Sequence, residues 1–150
     1  MRTLFRVGAI IFHEGKLVTT KMKKKDKEYY VLPGGGVESE ENLQEALKRE
    51  LKEELNIEAI GFKLAYIREL NIKEHGRGAE FYFYVHNYKG EPSKGYDPET
   101  KESILDELAF LTFDDLKTLT FYPIELIHIL KEDAQQNFPI VKHLGLHDYP

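Results

Sequence analysis

The sequence predicts an α/β fold, with helices set against a sheet, and three observations carry that prediction. Leu43, Leu47, Leu51 and Leu55 recur every fourth residue between Asn42 and Asn56, which marks a helix with one apolar stripe. Ala59–Asn71 and Ala79–Tyr88 are long runs rich in aromatic and branched residues, which favour strands. Arg6–Phe12 is a further apolar run ahead of the helix, so strand-like segments flank it on both sides. A chain of 150 residues that is 41% hydrophobic can close one core and is short for two, so a single domain over residues 1–150 is expected.

Charge and cysteine content narrow the chemistry. A formal net charge of −5 disfavours general attraction to nucleic acid or anionic membranes, so neither is an expected partner. The absence of cysteine removes disulfides, thiolate metal sites and cysteine nucleophiles. Arg2 and Arg6 sit before Val7–Phe12, a run too short for a signal core or a membrane span, and a soluble cytoplasmic protein is the default expectation.

Taken in order, Arg6–Phe12 runs into His13-Glu14-Gly15 and Lys16–Met22 resumes with Val and Thr, which predicts a β-hairpin turning at Glu14-Gly15. Lys21–Lys27 holds five lysines in seven positions and reads as a solvated loop. Glu28–Leu32 is a short strand that leads to Pro33-Gly34-Gly35-Gly36, where missing side chains let a ligand approach the backbone. Asn42 with Glu45 three positions on forms a capping box, so the helix starts near Leu43. Asn56 tolerates the left-handed conformation that closes helices, so the helix ends near Leu55.

Beyond the helix, Phe81, Phe83 and Val85 alternate with Tyr82, Tyr84 and His86, which suits a strand inside a sheet covered on both faces. Ile72–Gly78 is the polar turn between the two long strands. Gly90–Lys101 is a Gly- and Pro-bearing loop that ends at Glu102, ahead of a strand near Leu108–Phe113. Asp114 or Asp115 is expected to cap a short helical turn, and Tyr122–Lys131 to form a last amphipathic helix. Asp133–Pro150 is weakly patterned. His75 and His86 lack companions at ligand spacing and read as surface or core residues, and His143 and His147, four apart, lack a third ligand and read as surface.

The acids of the helix at Leu43–Leu55 are misplaced for an ordinary solvated helix. At about 100° per residue, Glu50 and Glu54 fall within or beside the leucine stripe, and Glu53 lies one step further round. A buried unpaired carboxylate is costly, and acids at i, i+3 and i+4 repel one another. A divalent cation relieves both problems. Hard oxygen ligands and the lack of cysteine favour Mg²⁺ or Mn²⁺.

The stretch Gly35-x5-Glu41-x7-Arg49-Glu50-Leu51-x-Glu53-Glu54-x-Asn56-Ile57 resembles the Nudix box, the signature of the Nudix hydrolases (MutT-like), at every defined position but one. The family has Gly where this chain has Asn56, the residue best able to replace it at a helix end. The resemblance implies an α/β/α sandwich with a mixed, partly antiparallel sheet between helices. It implies metal ligation by Glu50, Glu53, Glu54 and the carbonyl of Gly34, with Glu41 and Arg49 paired to orient the loop. Glu50, Glu53 and Glu102 are all open as the general base, with Glu53 favoured as a ligand and Glu99 and Glu107 standing behind Glu102. Lys21 and Lys23 correspond to a phosphate-facing rim. Phe121 and Tyr122 fall where triphosphate-cleaving members hold the base, and an aromatic ring there would stack on it.

The activity so implied is Mg²⁺-dependent hydrolysis of a nucleoside diphosphate linked to another group, by a monomer or homodimer acting on a small-molecule nucleotide. Features that mark the ADP-ribose, diadenosine polyphosphate and isomerase branches are missing, so a nucleoside triphosphate giving a monophosphate and pyrophosphate is the leading substrate. ADP-ribose or nucleotide-sugar cleavage, or a non-catalytic binding module, are the alternatives. The intact set of box acids speaks against the last of these.

Overall fold

The computed structural model describes residues 4–94 and 105–149. Ten strands form two five-stranded sheets. The first sheet has the order β10-β6-β7-β1-β5, drawn from Lys142–Tyr149, Glu58–Ile72, Gly76–Lys89, Leu4–Ile10 and Gly34–Gly36. It is mixed, because β1 runs parallel to β7 and β10 parallel to β6, while β6 with β7 and β1 with β5 are antiparallel. The second sheet joins β2 (Phe12–His13), β3 (Lys16–Lys24), β4 (Lys27–Val31) and β9 (Phe121–Tyr122), with β8 (Leu105–Leu111) also paired to β3.

Side-chain alternation on the central strands of the first sheet creates two cores. Val7 and Ala9 of β1 and Phe83 and Val85 of β7 turn one way and meet Leu47, Leu51 and Leu55 of helix α1 (Leu43–Leu55). Ile10 and Tyr82 turn the other way, and with Tyr66 they pack against Leu116 of α2 (Phe113–Thr118), Leu126 of a 3₁₀ turn at Ile124–His128, and Leu130 of α3 (Leu130–Gln135). Helices therefore cover both faces of a mixed sheet, which is the α/β/α sandwich expected. Among the described residues no helix is long and apolar enough to cross a membrane.

Local signals reappear in the structure where the sequence placed them. α1 opens on the Asn42–Glu45 capping box and closes on Asn56 in the left-handed conformation, φ 55°. The first hairpin turns at Glu14 and Gly15, both with positive φ. Three expectations are corrected. Thr112, not Asp114 or Asp115, caps α2, and Asp115 is the acid three residues on that returns a bond to the cap amide. Tyr122–Lys131 is not one helix, because Pro123 has no N–H and holds the chain extended before the 3₁₀ turn, so α-helix begins only at Leu130. The weakly patterned tail contains strand β10, whose alternation is broken by a register shift between His143 and Leu146 and by Gly145 at φ 88°.

Candidate active site

The site is assembled where α1 crosses the edge strand β5. Gly34 pairs with Gly8 and lies so close to β1 that a Cβ would stand 2.0 Å from the Val7 carbonyl oxygen, so only glycine fits. Its amide donates to Glu54 Oε2 at 3.0 Å, which ties the loop to the helix through one of the box acids. Next along, Gly35 leaves the space that the Glu50 carboxylate occupies, since a Cβ on Gly35 would lie within 2.3–2.6 Å of Glu50 carboxyl atoms.

Arg49 organises the acids. Its guanidinium forks onto Glu41, with Nη2 2.6 Å from Oε1 and Nε 3.0 Å from Oε2, and Nη2 also donates to the Gly36 carbonyl at 2.9 Å. Nη1 reaches Glu50 Oε1 at 2.9 Å and Glu53 Oε2 at 3.3 Å. Glu41 in turn accepts the Glu38 amide at 2.8 Å, which closes the loop between β5 and α1 on itself. The expected Glu41–Arg49 pair is thus present, and Arg49 additionally carries the counter-charge for Glu50 and Glu53.

The electrostatics follow from burial and partners. The Glu50 side chain is only 12% exposed. Burial pushes its carboxyl above the ordinary range, and the Arg49 guanidinium opposes that shift without cancelling it. Glu41 is held below its ordinary value, chiefly by its hydrogen bonds from Arg49. Arg49 itself is pushed further up by the Glu41 bond.

This donor set fits a hard divalent cation. Three carboxylates and a glycine loop supply only oxygen ligands, and Glu50 lies buried in a cradle that any side chain at Gly35 would fill. Among the described residues no three acidic or imidazole side chains already stand in metal-binding geometry. Here Arg49 Nη1 spans Glu50 and Glu53 instead, so their net negative charge is shared with a guanidinium.

Of the other residues singled out from sequence, those described belong to the second sheet. Lys21 is held between Glu28 at 3.4 Å and Glu107 at 3.2 Å on the two neighbouring strands of the second sheet, and these contacts raise its pKa. Its charge is therefore spoken for. Lys23, opposite Glu28, is exposed. Phe121 is 1% exposed within the second core, so its ring has no free face for a base, contrary to the expected stacking role. Tyr122 is 45% exposed and meets Tyr29 edge to face. Glu102 and Glu99 lie outside the described residues, and Glu107 is committed to Lys21. Sequence reasoning passed over Arg6, whose charge is felt at Glu50; a basic residue interrupting an apolar strand was the available signal.

A sandwich whose glycine loop feeds a capped helix, with acids of that helix turned back on the loop, is the arrangement that the resemblance to the Nudix box implies. The NUDIX domain family model matches residues 3–132. The 8-oxo-dGTP diphosphatase of Buchnera aphidicola subsp. Schizaphis graminum is 34% identical over 132 residues, covering 84% of this chain and 89% of that protein. In fold, the chain is similar to the E. coli ORF135 protein, with TM-score 0.74 and 21% identity over 93% of this chain and 96% of that one. It is also similar to the MutT NUDIX hydrolase from Burkholderia pseudomallei, with TM-score 0.61 and 22% identity over 76% and 86% of the two chains. The chain belongs to the Nudix hydrolases. Members of that family generally need divalent metal ions, in keeping with the oxygen-only donor set.

Proposed function

We propose that the protein is a Mg²⁺-dependent pyrophosphohydrolase, able to use Mn²⁺, that converts a nucleoside triphosphate and water to the monophosphate and pyrophosphate. The observation that carries this reading is Glu50 and Glu54 of α1 set against the Gly34–Gly36 loop, with Glu53 joined to Glu50 through Arg49. The likeness to a diphosphatase acting on a deoxynucleoside triphosphate supports it. Glu50, Glu53, Glu54 and the Gly34 carbonyl would hold the ion. A bound divalent ion supplies neutralisation of the phosphate charge and a more acidic water.

The chain's own groups do the rest. Arg49 stays with Glu41 and the Gly36 carbonyl, and so keeps the loop at a fixed distance from the helix. Glu50 is a candidate to take the proton from the attacking water. Glu102 competes for that role, and Glu53 serves as a ligand. Water attacks one phosphorus in line, and the bridging oxygen leaves with pyrophosphate.

The test is product release from a panel of nucleoside triphosphates, nucleotide sugars, ADP-ribose and dinucleoside polyphosphates, with Mg²⁺, with Mn²⁺ and with chelator. Triphosphate turnover that needs metal and falls about 100-fold or more in Glu53→Gln is expected. Preference for ADP-ribose or a nucleotide sugar would replace the substrate. Silence across the panel would overturn the reading.

A further inference from the structure

Arg6 stands in β1 directly opposite Gly36 of the site loop. Its side chain is 30% exposed and held at arm's length, with Nε 3.5 Å from Glu80 Oε2, beyond ordinary hydrogen-bond range. Glu80 gives its closer oxygen to Arg68, at 2.8 Å, and Arg68 also reaches Glu125 at 3.3 Å. Tyr149 of β10 places its ring under the Arg6 guanidinium, 5.7 Å from Cζ to centroid. Among the described residues the Arg6 side chain makes this ion pair and this ring contact and no hydrogen bond. Arg49, by contrast, has all three guanidinium nitrogens engaged.

The charge pattern points to a ligand. A triphosphate entering this loop meets Glu41, Glu50, Glu53 and Glu54, and Arg6, on the strand paired with the loop opposite Gly36, is a guanidinium with spare donors. Its fixed fork matches phosphate oxygens, and Tyr149 orients it at small entropic cost. Tyr149 lies past residue 132, where the family match ends.

We infer that Arg6 is a substrate-binding residue that takes a phosphate oxygen of the triphosphate chain, and that Tyr149 of the C-terminal strand is its positioning residue. The inference rests on the triphosphate reading above. It makes β10 part of the substrate site.

The experiment pairs steady-state kinetics with calorimetric binding of inorganic triphosphate in the presence of metal. Arg6→Ala is expected to raise KM and weaken triphosphate binding by about 10- to 100-fold, the loss of a charge-assisted hydrogen bond, with kcat much less affected. Arg6→Lys restores part of both. Tyr149→Ala moves KM and triphosphate binding the same way by a smaller factor, and Tyr149→Phe, which keeps the ring, does not. Thermal melts that coincide with wild type separate these effects from misfolding. Unchanged KM and triphosphate affinity in Arg6→Ala, with metal-dependent turnover intact, overturns the inference and leaves the proposed function standing. A raised KM with unchanged triphosphate binding also overturns it, because Arg6 would then contact the nucleoside. A wild-type enzyme that turns over no triphosphate removes the reading beneath it.

Discussion

The carboxylate of Glu50 occupies the volume that a side chain on Gly35 would need: a Cβ there would lie 2.3 Å from Oε1 and 2.6 Å from Oε2. Glycine at this position is a requirement of the site, not of the backbone, since the obstacle is the end of a functional side chain. Gly35→Ala is expected to swing Glu50 out of its cradle and lower metal-dependent kcat by about 10- to 100-fold. The fold should survive, because the displaced atoms are the tip of one side chain. Kinetics and a melting curve on the same variant check both halves.

Glu50 also predicts an inverse relation between stability and activity. Burial holds its folded-state pKa above the unfolded value. Its contribution to stability is therefore fully present below the unfolded pKa and is lost as pH rises through the raised folded pKa. Glu50→Gln should melt higher than wild type at neutral pH, by a margin that vanishes as pH falls below the ordinary glutamate range, while turnover is abolished. A variant less stable than wild type at neutral pH would refute the assignment of burial as the dominant cause.

Glu41 behaves in the opposite sense. The Glu41 pKa is lowered, so its stabilising effect is present above the unfolded value and is lost as pH falls through the folded one. Arg49→Lys loses the fork onto Glu41 and the bond to the Gly36 carbonyl, and leaves Glu50 and Glu53 without their shared donor. A loss of about 2–4 kcal/mol is expected from chemical denaturation at neutral pH. Bound Mg²⁺ should recover part of it by taking over the charge of Glu50 and Glu53.

Far from the site, Asp133 is 4% exposed and accepts from Tyr66 Oη and Lys142 Nζ, both at 2.5 Å. It ties α3 to β6 and to the start of β10. The Tyr66 hydroxyl is pushed well up by burial and by this acceptor. Asp133→Ala leaves the Tyr66 hydroxyl without its acceptor and should cost about 2–4 kcal/mol. If β10 also carries Tyr149 to Arg6, the same variant should raise KM as well. Denaturation and kinetics on one preparation measure the two together.

Much of the site was legible because its determinants are local. The capping box at Asn42 and Glu45, the left-handed Asn56 and the leucine stripe depend on residues within one or two helical turns, and the structure places them as read. The Arg49–Glu41 pair spans eight positions and was reached only through the family resemblance. Phe121 was misjudged because its neighbours in the core, among them Tyr66, Tyr82 and Leu126, come from other elements. The Tyr122–Lys131 segment was misjudged because helical spacing of apolar residues says nothing of the cap and proline geometry that divides it.

The sequence by itself determined the helix, its bounds and the class of chemistry on it, since periodicity, capping and a glycine loop are short-range properties written in consecutive residues. Tertiary structure decided what surrounds that chemistry. Arg6 comes to face Gly36 and Tyr149 because β1 pairs with β5 and β10 adds to the open edge of β6. Such contacts join residues up to the full length of the chain apart, and strand pairing, which brings them together, is settled by packing of whole sheets and leaves no local pattern to read.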